Sequence, residues 1–152
     1  MPKDKLNIFL SYAHEDEKMK EELDKSLVAL RRGGKIKVWQ DRQLIGGDAW
    51  DDSIKKELTE ADIILLLISV DFNNSQYIWD KELAVAMERH AKGEARVVPI
   101  ILRKCDWSDM PYARLQALPT GAKPVTSFAD PDEAYTDIAK NIRRLVDYMG
   151  GE

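Results

Sequence analysis

At 152 residues, with 44% hydrophobic and 33% charged side chains, the chain is long enough for one domain with a sizeable core and too apolar for a disordered segment. Its net charge of -4 argues against a nucleic-acid binder that relies on a basic face. The single cysteine, Cys105, rules out an internal disulfide, and two distant histidines, His14 and His90, give no zinc spacing, so a metal site would have to be made of carboxylates.

Leu6–Tyr12 reads as a short strand of apolar and β-prone residues. The next helix has apolar positions Met19, Leu23, Leu27 and Leu30 on one face, and Gly33-Gly34 ends it. Lys35–Trp39 alternates as a strand, and Gln40–Asp48 is a loop. Asp48 is a candidate helix cap, with Trp50, Ile54 and Leu58 following on one face. Ile63–Ser69 is continuously apolar and reads as the buried central strand. After a short polar loop, a helix is predicted from about Ser75 to Lys92, stopped by Gly93.

Arg96–Leu102 is a further apolar strand, and Pro99 inside it needs a place where its missing amide has no partner. Arg103–Gly121 is irregular and reads as a long loop. Lys123–Thr126 suits a short edge strand, and Pro131–Met149 a last helix with Ala134, Ile138, Ile142 and Leu145 on one face. This alternation of strands and helices favours one parallel α/β sheet covered by helices on both sides. A single domain is expected over residues 1–152, with its core from about residue 6 to 149. The N-terminus is polar, without the pattern of a signal peptide, and the longest apolar run is too short to span a bilayer, so the expected location is the cytoplasm.

Five stretches, taken together and in order, resemble a bacterial-type Toll/interleukin-1 receptor (TIR) domain. They are Ile8–Asp16, Val38–Trp50, Ala61–Ser69, Tyr77–Leu83 and Arg96–Leu102. The resemblance implies a flavodoxin-like three-layer fold with a five-stranded parallel sheet, and it accommodates Pro99, since proline is common at the matching strand position. Many members of the family hydrolyse NAD to nicotinamide and ADP-ribose or a cyclic form. Others only assemble with partner TIR domains in immune signalling. The resemblance carries the catalytic glutamate onto Glu82. It makes Gln40–Asp48 the assembly loop, with Leu44, Ile45, Gly46 and Gly47 at its centre. By position, Ser11, Tyr12, Asp41 and Trp50 would line the NAD cleft. Trp79, three residues before the glutamate, joins the candidate substrate-binding residues; in the family motif the tryptophan or cysteine often stands four before, where this chain has Ile78. The implied partners are NAD as substrate, with no separate cofactor or metal, and other TIR domains in a homo-oligomer or filament formed on activation. Neither nucleic acid nor membrane is an implied partner.

A lone carboxylate suits this chemistry. Ordinary glycosidases use two carboxyl groups because a poor leaving group must be protonated. The nicotinamide of NAD is a cationic pyridinium and leaves neutral, so the demand is to stabilise positive charge on the ribose. The residues alone also permit plainer readings. At about 100° per residue, Glu82 sits roughly 60° from Trp79, on the edge of the apolar stripe Trp79, Leu83, Ala86, Met87 and His90. Edge acids are usually solvated, and Trp79 and Trp39 suit the core. Gly46-Gly47 lacks the spacing of a phosphate cradle. A phospho-acceptor receiver domain shares the architecture, but it needs an acidic pair after the first strand and an acceptor aspartate ending the central one. Here those strands end in Ser11-Tyr12 and Ser69-Val70-Asp71.

Overall fold

The computed structural model describes residues 5–39 and 48–150; for 48–53 it describes the backbone but not the side chains. The elements are β1 (Leu6–Ser11), α1 (Glu17–Ser26), α2 (Val28–Arg32), β2 (Ile36–Trp39), α3 (Asp48–Glu60), β3 (Ile63–Ile68), α4 (Val70–Asn74), α5 (Ala84–Ala91), β4 (Arg96–Ile101) and α6 (Pro131–Met149). A π-helical turn, Ile78–Leu83, runs directly into α5. Gly34, at φ 74°, takes the left-handed conformation that ends α2, as the paired glycines suggest.

All strand pairs are parallel, in the order β2-β1-β3-β4. Side-chain alternation along the strands divides the core in two. Leu6, Ile8, Leu10 and Tyr12, with Leu65 and Ile100, pack beneath α1 and α6. Phe9, Ile64, Leu66, Ile68 and Ile101 pack beneath α3 and α5. Every residue of β3 is fully buried, as its continuous apolar run requires of a central strand with both faces covered. Trp39, half-buried, stacks on Phe9 at 5.4 Å and so packs against the core rather than within it. The flavodoxin-like three-layer fold is therefore present. The π turn interrupts the helix expected from Ser75 to Lys92, and no signal in its sequence explains the interruption.

The expected fifth strand is reduced to one bridge. Among the described residues the sheet has four strands, and only Leu118 pairs with Ile100 at the outer edge. Lys123–Thr126 is not a strand; short 3-10 turns occupy Thr120–Ala122 and Val125–Ser127 instead. The outer edge of β4 is closed group by group. Arg96 and Leu102 donate inward, to Asp62 and Ile68, so the amides of residues 97, 99 and 101 point outward. Val97 donates to His90 Nδ1 at 3.1 Å, Ile101 donates to Leu118 at 2.7 Å, and Pro99 has no N–H to satisfy. His90 thus accepts a strand-edge amide, a role beyond its place near the helix C-terminus.

Candidate functional site

In a parallel sheet every strand delivers its carboxyl end to one edge, and here Ser11, Ser69 and Arg103 follow or end β1, β3 and β4 at that edge. Glu82 joins them from the π turn. It is fully buried, not a solvated edge acid, and Ser11 Oγ donates to its Oε1 at 2.7 Å. Ser11 is itself inaccessible to solvent. The strand end and the helix start are thereby joined through one hydrogen bond to a carboxylate, the stronger class of such bonds.

A second polar cluster spans the same edge. Asp16, only 2% exposed, accepts from Ser69 Oγ and from Arg103, whose Nε and Nη2 both lie 2.9 Å from Oδ1. Arg103 Nη2 also pairs with Asp71. Ser69 Oγ accepts in turn from the amide of Phe72 at 3.1 Å and so caps α4. One guanidinium therefore ties the segment after β1, the segment after β3 and the end of β4 together. The sequence reading missed this cluster. Asp16 lies in a run of alternating charges that resembles a solvated face, and its only signal is position, close behind a strand end.

Asn73, on α4, anchors the neighbouring segments. Its carbonyl accepts from Trp79 Nε1 at 2.7 Å, and its side-chain oxygen accepts from the Tyr112 hydroxyl. Trp79 therefore packs as a structural residue in this conformation, with its indole N–H committed to the backbone. Burial, with the charge of Cys105 beside it, pushes the Tyr112 hydroxyl well above its ordinary pKa, while the bond to Asn73 works the other way. Burial likewise raises the Cys105 thiol, which suits an unreactive side chain.

Between the segment after β1 and the start of the π turn lies a cavity of roughly 580 Å³. Tyr12 and Ala13 form one wall, and Asp71, Tyr77 and Ile78 face them. Among the expected cleft residues, Ser11, Tyr12 and Glu82 thus come together at one edge. Asp41, Leu44, Ile45, Gly46 and Gly47 lie outside the described residues. So does the side chain of Trp50, whose backbone sits in α3. Among the described residues no cluster of three or more His, Cys, Asp or Glu side chains could hold a metal ion, and no helix is long and apolar enough to cross a membrane. Asp16 and Asp71 do gather at the strand ends, as a receiver domain would require, but Arg103 occupies both.

The chain is 45% identical over 137 residues to the uncharacterized protein y4lF of Sinorhizobium fredii (strain NBRC 101917 / NGR234), a match covering 90% of this chain and 42% of that protein. It thus spans less than half the length of that relative. Its fold is similar to the TIR domains of the activated Roq1 resistosome that recognises the effector XopQ (TM-score 0.63, 19% identity, 90% of this chain and 99% of that one). It is also similar to the RPS4 and RRS1 TIR domain heterodimer (TM-score 0.61, 13% identity, 95% and 99%). The family model of the TIR domain matches residues 8–139, and with it the strand ends, the π turn and Glu82: the chain belongs to the TIR domain family.

Proposed function

We propose that the chain is a NAD glycohydrolase that cleaves the nicotinamide–ribosyl bond, releasing nicotinamide and ADP-ribose or its cyclic form. The observation that carries this reading is Glu82, a carboxylate fully buried at the carboxyl edge of a parallel sheet and held there by Ser11. A desolvated, oriented carboxylate stabilises positive charge on a ribose far better than a solvated one. Nicotinamide leaves as a neutral molecule, so no general acid is needed. Water attack then gives ADP-ribose, and attack by the adenine of the same molecule gives the cyclic product. Because Glu82 is sealed in this conformation, the ribose reaches it only after local movement, which assembly with a second TIR domain in the cytoplasm would supply.

The test is nicotinamide release from NAD, followed by chromatography, for the free domain and for the domain fused to a self-associating partner. Glu82→Gln, close to isosteric, lowers the rate by about a hundredfold or more if the carboxylate stabilises the transition state. Activity retained in that variant removes Glu82 from the catalytic role. The sealed state of Glu82 also favours a second reading, a non-catalytic module that associates with other TIR domains in immune signalling. That reading expects substitutions at Ile45 or Gly46 to abolish association and Glu82→Gln to leave signalling intact.

A further inference from the structure

The helix that carries Glu82 is fastened a second time at its other end. The π turn passes into α5 without a break, because Leu83 and Ala84 both keep right-handed helical dihedrals. Arg89 follows Glu82 by about two turns and so returns to nearly the same face, about 10 Å further along the axis. Ala86, fully buried, lies between them on that face. The Arg89 side chain is 14% exposed and crosses to α3. Its Nη1 donates to the carbonyls of Leu58, at 2.8 Å, and Ala61, at 2.7 Å. Its Nη2 donates to the carbonyl of Glu94 at 3.0 Å, just beyond α5.

Leu58 stands in the last turn of α3, where carbonyls lack an intrahelical partner, and Leu58 and Ala61 are both buried, so the guanidinium supplies donors that water cannot. Its charge also suits the C-terminal end of α3. Trp79 and His90 tether the same helix to α4 and β4. Arg89 is its tether to α3, which packs over β1, and Glu82 is its tether to Ser11 at the end of β1. The two side chains thus draw one helix toward the same side, one at each end. Between them the contacts of Leu83 and Ala86 with Ile54, Leu58 and Ile64 are apolar, and such packing is non-directional. Hydrogen bonds, in contrast, fix distance and angle, so the polar pair sets the axial position and rotation of the helix on that side.

We propose that Arg89 is a positioning residue for Glu82: by fixing α5 to the end of α3 it holds the π turn where the carboxylate meets Ser11. Its consequence for cleavage rests on the NAD reading above, but the positioning itself is measured without NAD. The variants are Arg89→Met, which keeps an apolar stem and loses every donor, and Arg89→Lys, which restores a cationic donor. Ile138→Val, on α6 beneath the opposite face of the sheet, is the control for a loss of stability alone. Each is combined with Ser11→Ala, and urea midpoints are followed by circular dichroism. Substitutions about 10 Å apart with no shared partner ordinarily add. If Arg89 sets Glu82, the midpoint loss caused by Ser11→Ala shrinks by about half or more in Arg89→Met. It keeps its full size in Ile138→Val and regains most of it in Arg89→Lys. Should Arg89→Met fail to fold, Arg89→Gln, shorter and uncharged, takes its place. An equal loss in every background overturns the proposal. In the self-associating fusion, kcat for nicotinamide release falls about tenfold or more in Arg89→Met while KM stays within about twofold, and Arg89→Lys recovers most of the loss. An unchanged kcat in Arg89→Met beside a lowered one in Ser11→Ala also overturns it. If the midpoints are coupled but no protein, wild type included, releases nicotinamide, the NAD reading fails and the positioning stands. If NAD is cleaved and the midpoint losses add, the reverse holds.

Discussion

Replacing Arg103 with methionine tests whether the guanidinium organises the carboxyl edge. The Asp16 carboxylate, 2% exposed, has one donor from Ser69 and two from Arg103. Arg103→Met removes two of these three donors and leaves a buried negative charge facing an apolar chain. Breaking a buried pair in this way costs about 3–5 kcal/mol. Ser69 still donates, and the Arg103 side chain is 34% exposed, so some of its interaction is already solvent-screened. Both points favour the lower end, about 3 kcal/mol. With a urea m-value of about 2 kcal/mol/M, the unfolding midpoint falls by about 1.5 M. The second half of the cycle is sharper. Asp16→Asn in the Arg103→Met background replaces an unpaired charge by a neutral amide, so it recovers about 1 kcal/mol or more, whereas in the wild type the same change is destabilising. The assay is urea unfolding of the four proteins, followed by circular dichroism. A midpoint loss below about 0.5 M for Arg103→Met, or costs that simply add in the double variant, would show that Asp16 does not depend on Arg103 and would refute the argument.

Ser11→Ala removes the donor to Glu82 between two fully buried side chains, and a bond to a charged group of this kind contributes about 2 kcal/mol. It is measured by the same unfolding series, and if NAD is cleaved, kcat falls more than KM rises, because the carboxylate is present but poorly set. A midpoint equal to that of the wild type would mean that Glu82 is held by its other contacts alone. Alkaline pH is the third test. Burial, with Glu22 nearby, pushes the Tyr135 hydroxyl up to about 12, and Tyr112 is raised as well. For an acid whose folded pKa is raised, the unfolded chain loses its proton first, near pH 10. It then binds fewer protons than the native state, and stability falls as pH rises from about 10 toward 12. Tyr135→Phe flattens that decline in urea midpoints measured from pH 8 upward; an unchanged slope would place its hydroxyl in contact with water in the folded state.

The fold was legible because its signals are long and redundant. β3 is apolar without interruption, as only a strand covered on both faces can afford to be, and α6 repeats its apolar positions over nineteen residues, Pro131–Met149. The edge was less legible. Lys123–Thr126 suits a short edge strand by its residues, yet it forms none, and β4 needs little covering. Pro99 removes one outward donor, His90 takes another, and a single residue, Leu118, serves the rest. Edge protection by side chains leaves no periodic trace, because each device is one residue long. The Asp16–Arg103 pair was hidden for a related reason. Its partners stand 87 positions apart, and each alone resembles a surface charge.

Glu82 shows where helical periodicity fails as a guide to a site. On a regular wheel it falls beside the apolar stripe, and that geometry alone gives a solvated acid. Residues 78–83 instead form a π turn, whose hydrogen bonds close over one more residue than those of an α-helix. Within the turn Ile78, Glu82 and Leu83 are buried together, and Ala86 follows them one turn later. The buried face runs through Ile78, Glu82, Leu83 and Ala86, whereas Trp79 and Met87 are half-buried, and Glu82 on that face meets Ser11. The TIR motif located Glu82 without reference to that geometry, which is why resemblance and periodicity disagreed on the same residue. Burial reconciles them: the face that packs on the sheet is centred nearer Ile78 than Trp79, and Glu82 lies within it rather than at its edge.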